Sequence, residues 1–135
     1  MSTRSTISVV NTDGTVSSIY CHFDGYLKNN GAILNTHYDE LNKAIELVSH
    51  GDMSSLGVSV DDTQYYHRDR NESWERTKPA QFDNWDDFVY SFDEQDYNYV
   101  FIDTWYLLHG NSRSEWYKGL NVRPLSSYSN TVIAE

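Results

Sequence analysis

His22 and Asp24 stand two residues apart in the run Tyr20-Cys21-His22-Phe23-Asp24-Gly25-Tyr26. On an extended strand that spacing puts both side chains on one face. With His37 from the next segment they would supply a His/Asp/His set of metal-ligand types. No HxxxH, CxxC or HExxH spacing accompanies them, so the plainer reading is a hydrogen-bonded pair at a sheet end, and neither metal nor cofactor is assigned. Cys21 beside His22 invites a thiolate nucleophile. Adjacent strand residues point to opposite faces, however, and cysteine is among the most often buried residues. Cys21 is therefore expected in the core.

A second polar run, Tyr65-Tyr66-His67-Arg68-Asp69-Arg70, carries two guanidiniums and an imidazole. Arginine binds phosphate or carboxylate oxygens through paired hydrogen bonds, and the flanking tyrosines offer rings on which a base could stack. A binding set of His22, Asp24, Tyr26, His67, Arg68 and Arg70 follows, with Arg4 converging if its strand is a neighbour. The bland alternative is that the arginines pair with Asp69, Glu72 or other acids, since exposed ion pairs are common and weak. A third and weaker reading makes His22, Asp24 and His67 the groups of a small hydrolase, which requires them to meet in one pocket.

The third feature is charge. The 135 residues carry a formal net charge of −10. Between Pro79 and Ser112 there are seven acids (Asp83, Asp86, Asp87, Asp93, Glu94, Asp96 and Asp103) and no lysine or arginine. Such a balance argues against direct binding to nucleic acid, which depends on cations that neutralise phosphates. The acids alternate with Trp85, Phe88, Tyr90, Tyr97 and Tyr99. A solvated helix face beside a strand edge explains this stretch without a function. The functional version is a partner-binding surface, Asp83, Trp85, Asp86, Asp87, Asp93, Glu94 and Asp96, that imitates the phosphates of a duplex and fills a basic groove. A Ca²⁺ site of Asp83, Asp86 and Asp87 is disfavoured because no EF-hand-type loop pattern is present.

These residues need elements to hold them. Asp13-Gly14 between β-branched runs predicts a hairpin, with Ile7, Val9, Val16 and Ile19 as its apolar side chains. Leu41, Ala44, Ile45 and Val48 form one stripe of a helix over 39–50, stopped by Gly51. Trp85, Phe88, Val89 and Phe92 predict a second helix over 84–92. Alternation predicts a strand over 58–67, a loop over 68–81, and one or two strands over 97–108 broken near Asp103-Thr104. A last edge strand is expected through Trp116, Tyr117 and Val122. The sum is a single α+β domain over 1–135, with a mainly antiparallel sheet that begins with a β-hairpin and two or three helices packed on one face. Residues 1–4 and about 126–135 are expected as loosely held tails.

The single cysteine excludes an intrachain disulfide and suits a reducing compartment. Neither a bilayer-length apolar run nor a signal-peptide pattern is seen, so a cytoplasmic location is expected. Eleven tyrosines and four tryptophans suit strands and binding surfaces alike, and tyrosine-rich edges make a homodimer conceivable.

The sequence S-T-R-S-T-I near the start, the Asp-Gly hairpin, then IYCHFDGY, NNGAIL and HY, resembles a family of small proteins of tailed bacteriophages. YYHRDRNE at 65–72 and the YNYVFID and WYLL strands extend the resemblance over most of the chain. The family's usual form is closer to YCHWDGYP; Phe23 stands here where Trp is common and Leu27 where Pro is common, which implies a differently shaped loop after Gly25. No reaction is attached to the family. The resemblance implies the cytoplasm of an infected bacterial host, and a phage accessory protein that binds and inhibits a host protein, without catalysis, through the acidic and aromatic surface. A small-ligand protein that holds a nucleotide-like anion is the alternative.

Overall fold

The computed structural model describes residues 2–110 and 112–128. Among them, the strands are β1 Ser5–Val10, β2 Val16–Cys21, β3 Met53–Ser55, β4 Gln64–Tyr65, β5 Ala80–Phe82, β6 Tyr97–Phe101, β7 Trp105–Leu108 and β8 Val122–Pro124. The helices are α1 Ala32–His37, α2 Leu41–Ser49, α3 Tyr66–Arg70, α4 Trp74–Thr77, α5 Trp85–Ser91 and α6 Arg113–Tyr117, with a π-type turn over Leu27–Gly31 leading into α1. The fold is α+β, as its hairpin and helix signals predict.

The hairpin forms where Asp13-Gly14 permits it. Gly14 takes φ +89°, and the Asp13 carboxylate accepts from the Thr15 amide at 3.0 Å and the Thr15 hydroxyl at 2.6 Å. Ile7 then lies opposite Ile19 on β2 and beside Tyr99 on β6, which runs parallel to β1. Strand order is β4-β3-β2-β1-β6-β7-β8, with β5 also paired to β2. β1/β6 and β2/β3 are parallel and the remaining pairings antiparallel, so the sheet is mixed with an antiparallel majority.

Side chains alternate across this sheet with period two, and each face meets its own helices. Ile7, Val9, Ile19, Cys21, Tyr99 and Phe101 pack against Leu34 of α1 and Ala44, Leu47 and Val48 of α2. Val16, Val100 and Leu108 pack on the opposite face against Phe88 and Val89 of α5, Phe92 just after it, and Trp116 of α6. Helices thus cover both faces, where the sequence suggested one. Trp105, fully buried, donates its indole N–H to the Tyr38 carbonyl at 2.9 Å and ties the sheet to the end of α1.

Four stretches differ from expectation. The strand over 58–67 shrinks to the two residues of β4. Ahead of it Ser59 and Thr63 bond the local backbone: Thr63 Oγ1 accepts from the Gly57 amide and donates to the Ser59 carbonyl, a competitor to ladder pairing. His67, Arg68 and Arg70 lie on α3 instead of at a strand end; Asp69 reaches back to accept from the Tyr65 amide, and Asn71 in the left-handed region ends the helix. The loop over 68–81 contains α4 and the start of β5. Trp116 and Tyr117 belong to α6, where the Ser112 side chain accepts from the Glu115 amide as an N-cap, and the edge strand begins only at Val122.

Residues 2–4 are held: Thr3 O accepts from the Gly25 amide at 2.8 Å and Arg4 N donates to Asp96 Oδ2 at 3.0 Å. At the other end of the chain Leu125–Ser127 forms a 3₁₀ turn, and the expected tail over 129–135 lies outside the described residues.

Candidate functional site

The face of the sheet that meets α5 and α6 has two halves. Val10, Val16 and Val100 are covered by the helices. The other half is polar, because β1 and β2 alternate hydroxyls where an apolar face would be expected: Thr6 and Ser8, then Ser18 and Tyr20, with Arg4 and His22 continuing the strands. Thr6 donates to Asn98 Oδ1 at 2.9 Å and Ser8 to Ser18 at 2.7 Å, so the buried members satisfy one another. A cavity of about 290 Å³ opens over Thr6, Ser18, Tyr20 and Asp52.

Tyr20 is the pivot. Its hydroxyl lies 2.6 Å from His22 Nδ1, and His22 Nε2 lies 3.1 Å from Ser2 Oγ. Burial pushes the Tyr20 phenol up, opposed by the Arg4 guanidinium beside it. The tyrosine hydroxyl and the Ser2 hydroxyl thus occupy the two ring nitrogens of His22. Across the site Arg70 lies 5.5 Å over the Tyr66 ring and donates to Ser54 Oγ at 3.2 Å. Ser54 is held beside β2 by the Phe23 amide, which donates to its carbonyl at 2.9 Å. Tyr66 and Tyr20 are close enough to raise the Tyr66 hydroxyl electrostatically, after burial, the larger cause.

Asp52 supplies the one carboxylate at the centre of the site. Its Oδ1 accepts from the Tyr20 amide at 2.9 Å, and its carbonyl accepts from the Tyr66 amide at 3.2 Å. Burial pushes it up to about 6, against the lowering effect of the Tyr20 bond. Arg4 thus lies beside Tyr20 and Arg70 over Tyr66, while Asp52 holds the backbone amides of Tyr20 and Tyr66. Guanidinium and imidazole groups are the side-chain types that bind anions.

The structure brings together only part of the set proposed from the sequence. His22 and Arg70 are in the site, and Arg4 joins them. Arg68 turns away: it grips Asp69 through Nε and Nη2, both at 3.0 Å, donates to the Thr63 carbonyl and stacks over Tyr65. The ion-pair alternative holds for this arginine, and the pair lowers the Asp69 carboxyl. His67 donates Nδ1–H to the Glu72 carbonyl at 2.7 Å and packs against Trp74 over a separate open hollow with His50. Asp24 takes φ +58° at the turn, where its carbonyl accepts from the Asn30 amide, and Tyr26 is exposed beyond it. His22, Asp24 and His67 thus engage different partners and form no catalytic constellation.

Among the described residues no three His, Cys, Asp or Glu side chains gather in a way that could hold a metal ion. Neither His22/Asp24/His37 nor Asp83/Asp86/Asp87 is such a group. Cys21 is fully buried with Asn30 Nδ2 3.4 Å from its sulfur, and burial pushes the thiol up to about 11. It is a core residue.

The acidic stretch divides in space. Asp83, Asp86 and Asp87 are exposed at the start of α5, where Asn84 Oδ1 caps the Asp87 amide at 2.9 Å. Trp85 is half-buried against Phe88. Asp93 faces the cavity, Glu94 pairs with Arg113 at 3.3 Å, and Asp96 holds the Arg4 amide. Reasoning from the sequence missed Asp52, Ser54 and Lys78 as site residues. The signal available was the polar alternation of Thr6/Ser8 and Ser18/Tyr20/His22 on strands whose other face carries Ile7, Val9, Ile19 and Cys21.

No protein-family model, curated protein or solved structure matches this chain. No described helix is long and apolar enough to cross a membrane.

Proposed function

We propose that this chain is a binding protein for a small anion bearing a phosphate or carboxylate group, held by Arg4, His22 and Arg70 beside the polar half of the sheet. The observation that carries the reading is the run of neighbours Arg4–Tyr20–His22 and Arg70–Tyr66, with Tyr20 beside Tyr66 and Ser2 Oγ 3.1 Å from His22 Nε2. Charge-assisted hydrogen bonds of this type are about twice as strong as neutral ones. Calorimetric titration with inorganic phosphate and ribose 5-phosphate tests it. Arg70→Ala should weaken binding about tenfold, the loss of one such contact, while Arg68→Ala leaves it unchanged. Equal weakening by the two substitutions, or no effect of Arg70→Ala, would count against the site.

A second reading keeps the phage resemblance at its centre: an accessory protein that binds and inhibits a host protein with a basic groove. The arrangement of α5 favours it. Asp86 and Asp87 lie one turn from Tyr90, whose ring sits 5.5 Å from Tyr117, and both tyrosines are largely exposed. Arg113 is folded inward onto Glu94 and the Val89 and Phe92 carbonyls, so its charge is spent inside the fold. Pull-down from bacterial lysate should capture a partner released by raised salt, and Asp86→Lys with Asp87→Lys should lose it. Capture undiminished by the double reversal would refute this surface.

A further inference from the structure

The anion cluster does not stand alone, because Tyr20 is also a wall of the 290 Å³ cavity. Beyond Tyr20 the cavity runs along β2 and β5 to Phe82, between Asp52 and Lys78 on one side and Asp93 and Gln95 on the other. Phe82 is half-buried and fixed edge-on against Phe88. The polar groups of the rim are mostly acceptors. Gln95 Nε2 donates to the Asp93 carbonyl at 3.3 Å, which leaves Oε1 for a ligand. Lys78 Nζ is drawn to Glu75 at 3.0 Å. Asp52 and Asp93 present carboxylate oxygens. An apolar floor with acceptors around it suits a flat ring that carries N–H donors, and the volume suits one such ring with its sugar.

Resting on the anion site described above, we infer that the ligand is a nucleoside monophosphate with an amino-bearing base. The phosphate lies on Arg4, His22 and Arg70; the base lies past Tyr20 over Phe82, with its exocyclic amine toward the Asp93 and Gln95 acceptors. Rings placed on aromatic side chains gain roughly 1–3 kcal/mol, and an unmet buried donor or acceptor costs a similar amount.

The test is calorimetric titration of the full chain with cytidine 5′-monophosphate, uridine 5′-monophosphate, ribose 5-phosphate and inorganic phosphate. The cytidine nucleotide should bind about tenfold tighter than ribose 5-phosphate, and tighter than the uridine nucleotide, which carries a carbonyl in place of the amine. Ala80→Phe, on an exposed position of β5 that lines the cavity, should remove the advantage of the base and leave phosphate affinity unchanged. Ribose 5-phosphate binding as tightly as the cytidine nucleotide would overturn the base pocket and leave the anion site standing. Failure of all four compounds to bind would overturn both.

Discussion

Asp52 shows how a single residue links the stability of the fold to its site. Its carboxyl lies at about 6 in the folded chain against 3.8 in the unfolded one, because burial disfavours the charge. The native state therefore holds the proton more tightly, and stability falls as pH rises from about 4 to about 6, then stays at the lower level. Asp52→Asn keeps an acceptor for the Tyr20 amide and removes the charge. It should stabilise the protein at pH 7 by roughly 1–2 kcal/mol once solvent screening is allowed for, with the gain vanishing below about pH 4. Urea unfolding at pH 4, 5, 6 and 7 measures this; a gain independent of pH would show that the carboxyl is not the cause. Cys21 lies at the opposite extreme: its burial was legible from residue type and strand alternation, and the core around it confirms both.

At the scale of elements, the strong local signals were legible and the weak ones were not. The Asp-Gly hairpin, the stripe of α2 and the face of α5 each rest on several residues that agree. The stretch over 58–67 misled because Val58, Val60 and Tyr66 alternate, while Ser59, Asp62 and Thr63 bond the nearby backbone and outcompete a ladder. Arg68 and Arg70 were expected together, but on the helical turn of α3 one faces Asp69 and the other Ser54. Gly51 joins α2 to β3 and sets the position of Asp52. It takes φ +86°, and a Cβ there would lie 2.3 Å from the Thr77 carbonyl oxygen, the same atom that accepts from the Asp52 amide at 2.7 Å. Gly51→Ala should cost about 2–4 kcal/mol through backbone strain and this clash. The midpoint of urea denaturation reads it, and an unchanged midpoint would mean that the turn relaxes freely.

Across the whole molecule the net charge of −10 hides a division of labour. Some acids face water at the start of α5; others pair with Arg113, hold Arg4 or line the cavity. Sequence order placed them in one window, and only the sheet topology separates them. The same topology assembles the site, since Arg4, His22, Asp52 and Arg70 come from four stretches joined by the β1/β2/β3 pairings and by α3. No local pattern could disclose that set, although Arg4, His22 and Arg70 each suggested anion chemistry by residue type. The histidines offer the most direct check. In ¹H–¹³C spectra of ring-labelled protein titrated with ribose 5-phosphate, the His22 signals should move and saturate while those of His50 and His67 stay in place. Stationary His22 signals, or movement at His50 and His67 instead, would contradict the anion site.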